Sequence, residues 1–146
     1  MNGKESISIE GTYELVSRKL PNGTILRPPK VIGLLTFTGQ YRNFNIISKN
    51  SRSKIRSMSY IAKYKLTRTR YTERSIYLMI NDQINNKGIK YDLKHKTASS
   101  PVTIKGGKIQ FKLPHFDEPT LVFEKNKLTA QPPGFINHVD TWKRVN

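Results

Sequence analysis

The sequence predicts an antiparallel all-β domain, and three observations lead there. No window sustains apolar residues at the i, i+3, i+4 and i+7 spacing of an amphipathic helix. β-Branched and aromatic residues recur instead in short runs with a two-residue period. Clusters of Pro, Gly, Asn and Asp punctuate those runs, which is how turns between strands are written.

Taken in order, TYELVSRKL (12–20) alternates and stops at Pro21-Asn22-Gly23. VIGLLTF (31–37) follows the stiff Arg27-Pro28-Pro29 segment and turns at Thr38-Gly39 into QYRNFNIIS (40–48), a hairpin. KNSRSKIRS (49–57) is polar and without a strand period, so it reads as a loop or a short helical turn. MSYIAKYKLT (58–67) and YTERSIYLMI (71–80) form two long strands around Arg68-Thr69-Arg70, and NDQINNKG (81–88) is a turn. IKYDLKHK (89–96) and KIQFKL (108–113) are strands, with TASSPVTIKGG between them. PTLVFEK (119–125) and KLTAQ (127–131) pair around Asn126, and HVDTWKRV (138–145) closes the chain after Pro132-Pro133-Gly134. The sum is eight to ten strands, for which a sandwich and a closed barrel are both suitable.

Length and composition narrow the setting. A chain of 146 residues is one domain with a real core. The absence of cysteine removes disulfides, thiolate metal sites and cysteine nucleophiles, and fits a reducing compartment. MNGKESISIE lacks the apolar core of a signal peptide, and no later run approaches the ~20 apolar residues of a membrane helix. A soluble cytoplasmic protein without membrane insertion is expected.

Charge raises a competing idea. Twenty-six Lys and Arg stand against ten Asp and Glu, a formal +16. Residues 42 to 74 hold ten of the basic residues and a single acid, Glu73, interleaved with tyrosines. Such a field attracts polyanions, so a basic nucleic-acid-binding barrel is an alternative function. The plainer reading makes these lysines the wet outer face of a sheet, where they also discourage edge-to-edge association.

The two ends of the chain carry a resemblance. G-T-Y-E-L-V (11–16) resembles the opening strand of the lipocalin-like families of the calycin group, with Tyr13 in the place of their Trp, and T-W-K-R-V (141–145) resembles their closing strand. VIGLLTFTGQY (31–41) and SYIAKY (59–64) are similar to inner strands of the microbial lipocalin-like domain. The histidine that often follows in that domain has no counterpart among Ser75, Ile76, Tyr77, Leu78 and Met79. The resemblance implies a closed, eight-stranded, up-and-down barrel over 11–146, preceded by an extension at 1–10, with an interior able to hold one small ligand. It also implies that Arg144 lies across the ring of Tyr13 and closes one end, a structural cation–π contact.

Alternation then selects the lining. Tyr60, Ala62, Tyr64 and Leu66 share a face opposite Lys63 and Lys65, so the tyrosines point inward. With Phe111 and Phe123 they line an interior for a small, largely hydrophobic ligand, unless those rings simply fill it. His138, Asp140 and Trp142 share the face of Arg144, which adds His138 and Trp142 to the lining. His138 and Asp140 are the acid–base candidates if the barrel is instead a small-molecule cyclase or isomerase; at the rim they would be solvated. His115, Asp117 and Glu118 in LPHFDEP sit in a proline-flanked turn, a setting for capping rather than for a metal. His95 reads as exposed, and Gly106-Gly107 as a hairpin turn. No nucleotide or metal motif occurs, and no cofactor is expected.

Overall fold

A computed structural model describes residues 7–115, 118–132 and 137–146. Thirteen strands and no helix occur among the described residues. In chain order they are β1 (Gly11–Lys19), β2 (Ile25–Leu26), β3 (Val31–Thr38), β4 (Tyr41–Lys49), β5 (Ile55–Leu66), β6 (Arg70–Asp82), β7 (Gly88–Asp92), β8 (Thr97–Pro101), β9 (Thr103–Lys105), β10 (Lys108–Lys112), β11 (Thr120–Glu124), β12 (Lys127–Gln131) and β13 (Val139–Arg144).

All pair antiparallel in one curled sheet, ordered β7-β6-β5-β4-β3-β1-β13-β12-β11-β10-β9, with β2 on β1 and β8 on β6. The expected closed eight-stranded barrel is therefore corrected to an open, curled sheet of more strands. The reason lies between residues 88 and 105. The run IKYDLKHK does not form one strand: β7 covers the end of β6 (Ile80 opposite Lys90), and 93–96 break the ladder. TASSP, read from sequence as part of a connection, then covers the start of β6 as β8 (Tyr71 opposite Ser100). One residue later β9 has left β6 for β10 (Ile109 opposite Ile104). A single bent segment thus reaches across where a closed barrel would need a full ladder.

Two smaller differences concern the ends of strands. The stretch 49–57 is not a loop throughout, because β4 runs to Lys49 and β5 begins at Ile55. The turn between them is organised by Asn50, whose side-chain oxygen accepts from the backbone N–H of Arg52 and Lys54. Packing also begins before Gly11: Ile9 is buried, and its carbonyl accepts from the Tyr13 hydroxyl at 2.9 Å.

Two bulges decide which side chains face inward. Across β1 and β13, Leu15 opposes Trp142 but Ser17 opposes Thr141, so Val16 is the extra residue. Tyr13 and Leu15 point in, Val16 is exposed, and Arg18 is carried inside to meet Asp140. Across β5 and β6, Ile61 opposes Tyr77 while Ala62 opposes Ser75, leaving Ile76 over. Tyr71, Glu73 and Ser75 face in before it; Leu78, Ile80 and Asp82 face in after it. Each extra residue shifts the two-residue period by one, exchanging the faces downstream.

The interior is built in two halves. At one end Tyr13, Phe37, Tyr64, Tyr71, Phe111 and Phe123 pack as an aromatic core: Tyr71 stacks on Phe111 at 4.1 Å, Phe37 meets Tyr64 edge-on at 5.2 Å, and Tyr13 meets Phe123 at 5.8 Å. Gly106-Gly107, with φ of 59° and 80°, makes the tight β9–β10 turn beside it. The other half of the sheet lines a partly open cavity.

Candidate functional site

The cavity measures about 320 Å³. Its walls are inward residues of neighbouring strands: Leu35 from β3, Phe44 and Ile46 from β4, Met58 from β5, Leu78 and Ile80 from β6, and Leu121 from β11. Such a lining favours an apolar occupant, since each Å² of apolar surface taken from water is worth about 25 cal/mol.

Between the aromatic core and the cavity lies a buried charge cluster. Arg42 and Glu73 are 2% and 0% exposed. Glu73 accepts four hydrogen bonds: two from Arg42 Nη1 at 3.0 and 3.2 Å, one from Tyr60 at 2.7 Å and one from Tyr71 at 2.6 Å. Arg42 Nη2 donates to Glu118 Oε2 at 3.1 Å, and His115 Nε2 donates to the Glu73 carbonyl at 3.0 Å. The guanidinium carbon sits 4.8 Å from the centre of the Tyr60 ring and 5.6 Å from that of Phe44. Burial opposes the Arg42 charge, but Glu73 and Glu118 outweigh it and hold its pKa well above the ordinary value. Burial pushes the Glu118 carboxyl up; Arg42 opposes that shift and the neighbouring Glu73 adds to it.

The more exposed end of the cavity is also polar. Arg18 grips Asp140 through two bonds, Nε to Oδ1 at 2.7 Å and Nη2 to Oδ2 at 2.9 Å. His138 Nε2 stands 3.7 Å from Asp140 Oδ2, and Arg56 Nε stands 3.6 Å from Asp82. Burial, with Arg18 acting in the same sense, lowers the His138 pKa against the pull of Asp140. His138 is therefore neutral near pH 7. The acid–base pair expected of His138 and Asp140 meets a constraint: both Asp140 oxygens are already engaged by Arg18.

The chain matches no protein-family model, no curated protein and no solved structure. Its site stands on its own geometry.

Of the six residues expected to line a ligand site, Tyr60, His138 and Trp142 border the cavity. Tyr64, Phe111 and Phe123 do not; they belong to the aromatic core at the other end. They share inward parity with the lining but lie farther along their strands, and parity carries no information about depth. The expected Arg144–Tyr13 cation–π contact is corrected. The two residues do face each other in the ladder, yet the Arg144 guanidinium binds the carbonyls of Glu10 and Asn146, while the Tyr13 ring packs on Phe37 and Phe123. Arg42 is the arginine that covers interior rings, a role the sequence reading assigned to none of the basic residues in 42–74.

Arg18, Arg42, Arg56, Glu73 and Glu118 were not foreseen as interior. Arg42 carried a usable signal, because it shares the face of Phe44 and Ile46 in YRNFNI. In the proline-flanked turn, Asp117 lies outside the described residues, and no group of three or more His, Cys, Asp or Glu converges among those described. His95 is exposed in the break between β7 and β8.

Proposed function

We propose that this protein binds a small, largely apolar molecule inside its curled sheet. One observation carries the reading: a cavity of about 320 Å³ whose aliphatic and aromatic walls are joined by two polar clusters, one around Arg42 and Glu118 and one around Arg18 and Asp140. That is the usual make-up of a small-molecule site, an apolar enclosure with a few polar groups that orient the occupant. A lipocalin-like ancestry is part of the proposal. It is supported by the pairing of the two motif-bearing strands, GTYELV in β1 and TWKRV in β13. We place the protein in the cytoplasm on its lack of cysteine; no helix among the described residues is long and apolar enough to cross a membrane.

The test is uptake of the neutral fluorophore N-phenylnaphthylamine, whose emission rises in apolar surroundings. Saturable enhancement is expected from the native chain and its loss from Leu78→Trp, which places an indole in the cavity. Equal enhancement by both proteins sinks the reading.

A second reading has an observation of its own. Eight of the ten basic residues in 42–74 are exposed: Lys49, Arg52, Lys54, Lys63, Lys65, Arg68, Arg70 and Arg74. An oligonucleotide bound there would lose affinity steeply as salt rises, because counterion release dominates such contacts. No binding at low salt removes this alternative.

A further inference from the structure

Three buried polar atoms that belong to residues bordering the cavity have no hydrogen-bond partner among the described residues: Arg42 Nε, Trp142 Nε1 and Glu118 Oε1. Buried groups of this kind are normally satisfied, and three around one enclosure ask for an explanation. Arg42 and Trp142 are each 2% exposed. Their chemistry is specific. The guanidinium Nε–H and the indole N–H can only donate, and neither has acceptor capacity. Glu118 spends its other oxygen, Oε2, on Arg42 at 3.1 Å, which leaves Oε1 as an acceptor while the group is ionised.

Charge then restricts what can complete them. At this end of the cavity the single Arg42 guanidinium is already shared between the carboxylates of Glu73 and Glu118. An anionic ligand group would find no surplus positive charge there and would be buried against two carboxylates. An ammonium would be drawn by the second carboxylate, but it has no acceptor and would leave both donors, the Arg42 Nε–H and the Trp142 N–H, unmet. A purely hydrocarbon ligand would seal all three atoms away unsatisfied. A neutral group with one acceptor oxygen and one N–H or O–H donor matches the set.

We propose that the inner end of the cavity selects a neutral carbonyl compound that also carries a hydrogen-bond donor, a carboxamide being the simplest case, attached to an apolar body. The carbonyl oxygen takes the N–H of Trp142 and the Nε–H of Arg42 on its two lone pairs, the ligand's own N–H goes to Glu118 Oε1, and the apolar body lies along Leu78 and Ile80. The Arg18–Asp140 pair at the other end is left undisturbed. This rests on the ligand-binding reading above.

The experiment is competition for bound N-phenylnaphthylamine by three compounds of equal chain length: octanamide, methyl octanoate and sodium octanoate. Octanamide is expected to displace the fluorophore at a concentration about tenfold lower than either of the others, the scale of one buried hydrogen bond satisfied rather than broken. Trp142→Phe and Glu118→Leu should each bring octanamide to the level of methyl octanoate. Glu118→Gln, which keeps an acceptor oxygen, should retain a preference for octanamide. Retained fluorophore uptake certifies that a variant is folded, and the ranking on the native chain stands without any variant. Equal displacement by all three compounds, or tightest displacement by octanoate, overturns the head-group inference while leaving the cavity reading intact. A fluorophore signal that Leu78→Trp does not alter overturns both.

Discussion

Arg42 Nη1 reaches both carboxylate oxygens of Glu73 inside the sheet, at 3.0 and 3.2 Å. The pair joins β4 to β6 across β5, so it ties strands that share no ladder. Removing one partner strands the other charge in a dry interior. Arg42→Met is expected to cost about 3 to 5 kcal/mol. Arg42→Met with Glu73→Leu removes this pair and should recover part of that loss, the remainder being the Glu118 carboxylate left without its Arg42 partner. Urea midpoints at constant m-value read both outcomes; equal losses in the single and double variants would refute the account.

A glycine and the chain's one tryptophan offer a second check. A Cβ at Gly33 would come within 2.8 Å of Trp142 Cη2 and 3.1 Å of Cζ3. Gly33→Ala must therefore push the indole, at a cost of about 1 to 3 kcal/mol for overpacking. Because Trp142 is the only tryptophan, its emission maximum reports the displacement directly. An unchanged spectrum and midpoint would show that Gly33 leaves more room than its distance to the indole allows.

Alkaline titration should separate folded from unfolded tyrosines. Burial is the first cause of the raised pKa values of Tyr13, Tyr60, Tyr64 and Tyr71, with Glu73 adding to it at Tyr60 and Tyr71 and Glu10 at Tyr64, which is pushed up to about 12. Above pH 10 the unfolded chain releases protons that the native protein keeps. The stabilisation is complete below pH 10 and is lost as pH rises through the raised values. Phenolate absorbance should come up late and together with loss of near-UV circular dichroism. Ordinary titration of all seven tyrosines near pH 10 with the fold intact would contradict this.

His138 acts at the acid end. Its pKa lies below 6.5, first because it is buried and second because of Arg18. Between 6.5 and the lowered value the unfolded chain binds the extra proton. Stability is full above that window and falls as pH drops through it. His138→Gln should flatten this part of the profile of urea midpoint against pH, whereas an unchanged slope would place the titration elsewhere.

Strands were legible wherever alternation ran unbroken. The span 31–48 forms β3 and β4 around the foreseen turn at Gly39, and 120–131 forms β11 and β12 around Asn126. Tyr60 and Trp142 followed from the same period. What defeated it was physical in each case. A bulge leaves no mark in composition: unbroken alternation from Tyr13 would turn Arg18 outward, whereas the register of β1 against β13 places it beside Asp140. A charge at an inward position reads as surface unless its partner is known, and Glu73 lies thirty-one residues from Arg42. Depth was lost as well: Tyr64 lies four residues beyond Tyr60, roughly 13 Å along an extended strand, enough to move it from the cavity to the aromatic core.

The unpaired Ile76 gives β6 two reading frames. Residues on its N-terminal side enter the interior on odd numbers and those on its C-terminal side on even ones, so the strand's two halves answer to different mutational grammars. A one-residue deletion at Ile76 would merge the two frames into one: Ser75 and Leu78 would stand two positions apart, both still inward, so Leu78 and Ile80 keep their places in the cavity wall and only the kink between the halves is lost.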